Sequence, residues 1–472
     1  MMKRTIQIIS PVDDCVIAQR DLASSDDIQH AVKSAVTAQQ KWRQMSITQR
    51  AAFCNDAIDF MLLNKAELGL ELARQMGRPV KYAEGELVGL AERGRHMIKI
   101  AQSQLYDRKV GDKVGVTRFI RREPLGVVFT IAPWNYPYLT AVNSIIPALM
   151  AGNTVILKHS AQTLLCAERF FEAFEAVGLP HGVFQYLHLS HQQTSTVIQH
   201  KDVAFVSFTG SVSGGEAIEQ AAAGQFMGVA LELGGKDPAY VRRDANFGHA
   251  IEQIVDGAFF NSGQSCCGIE RVYVHHSVYH PFVEGVVKAV EGYKLGSPLD
   301  EQTTLGPLVN AKAAQHVRDQ INDAVAKGAT AHIAPSLFAT NSNPDNRSNN
   351  HNSAYMAPQV LTEVNHQMAV MTEESFGPVI GIMSVADDEE AIGLMNDSPF
   401  GLTASIWTAD ENAARNIGDQ LDTGTVFMNR CDYLDPALPW VGVKNSGRGC
   451  ALSALGYDQL TRPKSFNFSH PT

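Results

Sequence analysis

The sequence predicts an α/β chain of more than one domain, with a doubly wound parallel sheet. Two observations carry this. Short apolar runs alternate with helical patterns from residue 126 onward, which implies parallel strands joined by crossover helices. The 472 residues exceed what one hydrophobic core holds, while 45% hydrophobic and 19% charged residues describe an ordinary globular chain.

The first hundred residues read as mostly helical. Ser24, Ser25, Asp26 and Asp27 form a helix start, with a hydroxyl cap and acids near the positive end of the dipole. Ile28, Val32, Ala35 and Ala38 share one face of the helix that follows. Residues 103–123 are rich in charge and carry strand-like Val114, Val116, Phe119 and Ile120, an extended hairpin or arm. Then βα alternation begins. Strands are expected at Gly126 to Ile131, Thr154 to Leu157, Phe184 to Leu189, Val203 to Phe208 and Val229 to Leu233, with a helix from Thr163 to Val177. A second α/β unit opens after Gly234-Gly235, with helices at Phe282 to Tyr293 and Asn310 to Lys327. Phe338 to Ser353 is an Asn/Ser-rich tract, expected as a flexible surface insertion. The tail ends on strand-like Ser465 to Phe468.

Composition excludes several functions. A net charge of -10 disfavours nucleic acid, which wants a basic face. No uncharged apolar stretch approaches the roughly 20 residues of a membrane helix, and the amino-terminal apolar run is too short for a signal-peptide core. Seven sparsely spaced cysteines do not make a disulfide framework. A reducing, cytoplasmic setting is therefore expected. No CxxC or HExxH occurs, and His275, His276 and His280 lack an acidic or thiol partner. No metal is expected.

Four segments carry chemistry. Cys266 and Cys267 follow Gly263-Gln264-Ser265, a turn that can bring a thiol close to a substrate; a buried structural cysteine is the alternative. Glu232 lies between Leu231 and Leu233, where apolar neighbours raise a carboxylate toward the range of a general base; the alternative is pairing with Lys236. Asn135 sits between Pro133 and Pro137, where its amide can donate to an oxyanion or serve the turn. Phe208-Thr209-Gly210-Ser211-Val212-Ser213-Gly214-Gly215 ends a strand and opens a helix, a place where free N–H groups meet a phosphate.

Together with Lys158, Glu373-Glu374-Ser375-Phe376-Gly377-Pro378 and the segment from Gly424 to Asn429, these motifs span nearly the whole chain in one order. The ordered set resembles the aldehyde dehydrogenase superfamily. The resemblance implies oxidation of a small-molecule aldehyde to a carboxylic acid with NAD or NADP. Cys266 matches the nucleophile, Asn135 the oxyanion donor alongside the Cys266 N–H, and Glu232 the base that activates water for thioester hydrolysis. Cys267 becomes a pocket neighbour. Lys158, grouped with both the catalytic and the cofactor residues, and Glu374 match contacts to the two riboses. Phe376 matches a wall of the nicotinamide site and Ser211 a pyrophosphate contact. Trp134, Ser160, Ala161, Gly210 and Gly215 complete the expected cofactor contacts. Ala161 stands where NAD-preferring relatives often carry Glu, so NADP is expected to be tolerated or even preferred.

The fold implied is a Rossmann-like cofactor domain (1–102 and 124–233), an α/β catalytic domain (234–446) and a small β oligomerisation arm (103–123 and 447–472), in a homodimer or homotetramer. Tyr136, Thr140, Asn143, Leu434 and Trp440 are candidates for the substrate entrance. Arg430 is a candidate for a carboxylate-bearing aldehyde, with a structural salt bridge as its alternative. Two rival functions remain. One is an acylating dehydrogenase that passes its thioester to coenzyme A, against which Glu232 counts. The other is a catalytically silent binding protein, against which Cys266 and Asn135 count.

Overall fold

The structure, a computed structural model, describes residues 4–338 and 353–470. Most of the Asn/Ser-rich tract lies outside the described residues. Two mixed sheets organise the chain. One has six strands in the order Gly447–Arg448, Gly228–Glu232, Val203–Thr209, Val127–Ala132, Thr154–His159, Phe184–Tyr186. All its neighbours pair in parallel except the short Gly447–Arg448 strand. Val127–Ala132 is buried at every position, which is why it reads as a continuous apolar run. The strand order reverses beside it, because the chain steps first to Thr154–His159 on one side and later to Val203–Thr209 on the other. Ligands bind at such a switch point, outside the carboxyl ends of the strands.

The second sheet has seven strands in the order Thr330–Ala331, Gln359–Thr362, Val379–Val385, Ile269–His275, Asp237–Val241, Thr403–Trp407, Thr425–Met428. Only Thr330–Ala331 runs antiparallel to its neighbour. A third, antiparallel sheet joins Arg108–Lys109, Val116–Pro124 and Thr461–Ser469. In it Phe119 stacks on Phe466 with ring centroids 4.5 Å apart.

The helix starting at Ser25 carries the expected cap. The Ser24 hydroxyl accepts from the Asp27 N–H, and the Asp27 carboxylate accepts from the Ser24 N–H. The amino-terminal region is not helical throughout, since Thr5–Ile9 and Val16–Asp21 form an antiparallel hairpin. Its outward residues are mixed, so its alternation is weak. Nor is the tail confined to the arm. Residues 447–448 extend the six-stranded sheet, and Ala451, Leu452, Tyr457 and Leu460 are buried in the core beneath it. Among the described residues, no helix is long and apolar enough to cross a membrane.

Candidate active site

The six-stranded sheet delivers its chemistry at its carboxyl edge. Trp134 and Asn135 follow strand Val127–Ala132, Lys158 lies near the end of Thr154–His159, Gly210 and Ser211 follow Thr209, and Glu232 closes Gly228–Glu232. The seven-stranded sheet answers from its amino edge. Cys266 leads into Ile269–His275, and Phe376 leads into Val379–Val385. Between them lies a cavity of about 240 Å³, lined by Trp134, Asn135, Gly210, Ser211, Glu232, Cys266, Glu374 and Phe376 among others.

The turn before Cys266 is held by backbone that few residues adopt. Asn261, Ser262 and Gly263 all have positive φ, at 53°, 58° and 73°. A Cβ on Gly263 would stand 2.2 Å from the Gly377 carbonyl oxygen, so glycine is required for the approach as well as the conformation. Gln264 ties the turn down. Its Nε2 donates to the Asn261 carbonyl at 3.0 Å, and its Oε1 accepts from the Val309 N–H at 2.8 Å. Asn135 is buried and its Nδ2 donates to the Gln264 carbonyl at 3.2 Å, which draws that amide to the Cys266 loop. Cys266 is partly exposed, whereas Cys267 is buried. The Cys267 thiol donates to Asp432 Oδ1 at 3.0 Å, and its neighbour Cys266 and burial push its pKa well up. The two thiols are thus not equivalent.

Glu232 accepts from the Thr209 hydroxyl at 3.3 Å. Burial pushes it up to about 7, against the opposing pull of Thr209 and Arg93. Lys236 is not its partner. Lys236 Nζ reaches Glu270 Oε2 at 2.5 Å and Ser375 Oγ at 3.0 Å. Glu270 in turn accepts from the N–H groups of Ser375 and Phe376 at 2.8 and 2.9 Å. This buried pair therefore sets the loop that carries Glu374 and Phe376. Glu374 is also pushed up to about 7 by burial and by Glu270, and it accepts from the Gly235 N–H at 3.0 Å.

The Gly234-Gly235 turn joins the two sheets. A Cβ on Gly234 would meet the Glu374 carboxylate at 2.3 Å, and one on Gly235 would meet the Cys266 carbonyl oxygen at 2.4 Å. Bare backbone on both residues lets the nucleophile loop and the Glu374 loop close on one point.

Other expected residues fall in varied places. Ser211 caps helix Val212–Ala222 by accepting from the Gly214 N–H. Gly215 is inside that helix and packs on Leu233, with no part in the cavity lining. Lys158 is mostly buried, desolvation pulls its pKa down, and it has no hydrogen bond or ion pair among the described residues. Ser160 caps a short turn in which Ala161 is exposed. Trp134 meets Phe376 edge to face at 5.5 Å. Leu434 and Trp440 pack in the same apolar cluster as Cys266. Thr140 and Asn143 do not line the main cavity; they line a small polar one of about 10 Å³ that also touches Thr209 and Glu232. Arg430 is exposed over the Tyr433 ring, 3.3 Å from its centroid, with no ion pair among the described residues. Among the described residues, no three His, Cys, Asp or Glu side chains converge as a metal group would need.

Several supporting residues escaped sequence reasoning. Arg78 holds the Asn135 carbonyl, lies 4.4 Å from the Tyr136 ring centroid and pairs with buried Glu86. Glu86 also accepts from the Tyr138 N–H at 2.7 Å. A signal existed, because Glu86 interrupts an apolar helix face of Ala83, Leu87 and Leu90. Asp432, raised to about 6 by burial, accepts from Ser265 and Cys267.

The residues present fit a dinucleotide. A capped helix start, a raised carboxylate beside a Gly-Gly turn and an aromatic wall line one cavity, and Lys158, outside that lining, pairs with Ile131 on the strand that leads into it. The model of the aldehyde dehydrogenase family matches residues 1–466. An aldehyde dehydrogenase of Paenarthrobacter nicotinovorans is 34% identical over 467 residues, covering 98% of this chain and 99% of that protein. A succinate-semialdehyde dehydrogenase [NADP(+)] of Mycobacterium tuberculosis is 31% identical, covering 98% and 99%. The crystal structure of an NADP-dependent glyceraldehyde-3-phosphate dehydrogenase from Bacillus halodurans, complexed with NADP, superposes with a TM-score of 0.91 at 32% identity, covering 99% and 96%.

Proposed function

The chain belongs to the aldehyde dehydrogenase family, and from that premise we propose that it oxidises an aldehyde to a carboxylic acid through a thioester on Cys266. The observation that carries this reading is the meeting of Cys266, Asn135 and Glu232 around one cavity.

Cys266 Sγ attacks the aldehyde carbon and forms a thiohemiacetal. The Asn135 amide, held at the Gln264 carbonyl, stands ready to donate to the oxyanion. A bound NAD or NADP would serve as hydride acceptor, with Lys158, Ser211, Glu374 and Phe376 as its holders. Once that carbon is a thioester, Glu232 takes a proton from water, which attacks the carbonyl and releases the acid. A carboxylate raised to about 7 is matched to this task near neutral pH. Cys267, committed to Asp432, stays protonated beside it.

NADP is tolerated in this reading, because no carboxylate stands at Ala161 and Lys158 is free to meet a phosphate. A homodimer or homotetramer through the Phe119 and Phe466 sheet completes it, with domain limits at 1–102 with 124–233, 234–446, and 103–123 with the strand Thr461–Ser469, residues 447–460 going with the six-stranded sheet.

Rapid mixing of enzyme, aldehyde and each nucleotide tests the mechanism. Wild type turns over steadily. Glu232→Gln gives one burst of reduced nucleotide per site and then stalls, and Cys266→Ser gives none. Full turnover by Glu232→Gln removes that residue from the mechanism. Rescue of the stalled enzyme by coenzyme A would favour the acylating reading. Catalytic efficiency with NAD and NADP tests the cofactor, and a large preference for NAD overturns that part.

A further inference from the structure

Glu232 borders two cavities. One is the main cavity that it shares with Asn135 and Cys266. The other is the small polar chamber of about 10 Å³, and only Thr209 and Glu232 line both. The chamber draws its walls from distant parts of the chain. Asn143 comes from helix Pro137–Ala151, Ser207 from strand Val203–Thr209, and Gln459 from just before strand Thr461–Ser469. Glu232 is the one ionisable side chain among the residues that line it.

Polar groups around this chamber are short of partners. Asn143 is 6% exposed, and its Oδ1 makes no hydrogen bond among the described residues. Gln459 Oε1 accepts from the Cys450 N–H at 3.0 Å, but its Nε2 has no partner among the described residues, and neither has the Ser207 hydroxyl. A buried amide oxygen left unpaired costs stability. Where the space is polar and fits one molecule, such a group is satisfied by water. The chamber has the size of a single-water site, and Asn143, Ser207, Gln459 and Glu232 supply it with donors and acceptors.

Deacylation gives this water a task. Glu232 takes a proton from the attacking water and must lose it before the next turnover. The burial that raises Glu232 to about 7 also shields it from bulk solvent. The main cavity, of about 240 Å³, is at that moment shared by the acyl group on Cys266 and a bound nucleotide. The chamber offers a second way out, because Thr140, Ser207 and Gln459 in its wall are only half-buried.

We propose that the chamber holds an ordered water that carries the proton of Glu232 to solvent, with Asn143 and Ser207 as its positioning residues. This rests on the dehydrogenase reading of the same site. The attacking water gives its hydroxyl to the acyl carbon and its proton to Glu232, and the C–S bond breaks to leave the Cys266 thiolate. The Glu232 O–H bond then breaks, an O–H bond forms on the chamber water, and that water releases one of its own protons outward. Glu232 returns to the carboxylate, and nothing is oxidised or reduced in the transfer.

The test separates the first turnover from those that follow, with propanal and each nucleotide under rapid mixing. Asn143→Leu keeps the shape without the amide, and Ser207→Ala removes the hydroxyl. In both, the burst of reduced nucleotide and the first deacylation, followed by the mass of quenched enzyme, should match wild type, because Glu232 starts ionised. The steady rate should fall by on the order of tenfold, acylated enzyme should accumulate, and the solvent deuterium isotope effect on the steady rate should rise. Unchanged steady rates overturn the proposal. A first turnover that slows in step with the later ones assigns these residues to packing and overturns it too. A surviving burst leaves the dehydrogenase reading intact in either case, whereas no oxidation of any aldehyde by wild type overturns that reading and the proposal with it. Should the variants not fold, wild type still decides: a high-resolution crystal structure should show a water bonded to Asn143 Oδ1 and Glu232, and a dry chamber overturns the assignment.

Discussion

Cys266 and Cys267 differ by one position and by every property that matters. One reaches the cavity, and the other is buried and hydrogen-bonded to Asp432. Cys266→Ser should abolish turnover, whereas Cys267→Ser should retain it, as measured by steady-state nucleotide reduction. Glu232 gives two opposite pH effects. As a base it must be ionised, so deacylation should rise with pH through about 7. For stability the sign reverses. Its folded pKa lies above the usual carboxylate value, so the native state holds the proton more tightly. The resulting penalty is absent below the ordinary carboxylate range, grows toward about 7 and is complete above it. Glu232→Gln should therefore raise Tm at alkaline pH, with the gain fading on acidification. A gain that grows on acidification would contradict the burial argument.

Loops between elements decide whether these residues meet. The Gly263 position combines a left-handed φ with contact to the Gly377 carbonyl. Gly263→Ala should cost about 1–3 kcal/mol and displace Cys266. Urea unfolding together with Cys266 alkylation rates would show both. Much of this was legible in the sequence. The Gly-Gln-Ser-Cys turn, the Gly-Gly turn after Glu232 and the strand-to-helix passage at Ser211 are local, and local backbone preferences announce them. What stayed hidden depends on distant partners. Lys236 finds Glu270 thirty-four positions away, and no pattern near Glu232 says so. Arg78 holds the Asn135 carbonyl from fifty-seven positions away, and nothing near Asn135 announces it. The Gly447–Arg448 strand is too short to carry periodicity, and pairing with Gly228–Glu232 creates it. Thr140 and Asn143 follow Asn135 closely in sequence, but the helix turns them away from the main cavity to the small polar one.

At the scale of the molecule, two sheets face each other edge to edge, carboxyl ends against amino ends, with the cavity in the seam. The third sheet stands apart, built from segments more than three hundred positions distant in sequence. Its Phe119 and Phe466 stack leaves Phe468 half exposed. If this sheet is the oligomer contact, Phe466→Asp with Phe468→Asp should shift sedimentation toward the monomer while circular dichroism stays native. Persistence of the oligomer would move the contact elsewhere.

The Gly234-Gly235 turn divides the site by its tolerance of change. At Gly235 a Cβ would meet the Cys266 carbonyl oxygen, backbone that cannot turn aside, whereas at Gly234 it would meet the end of the Glu374 side chain, which can. In a scan of every single substitution, 235 should be a blank column, while 234 should admit small residues at the expense of the Glu374 contact to the Gly235 N–H.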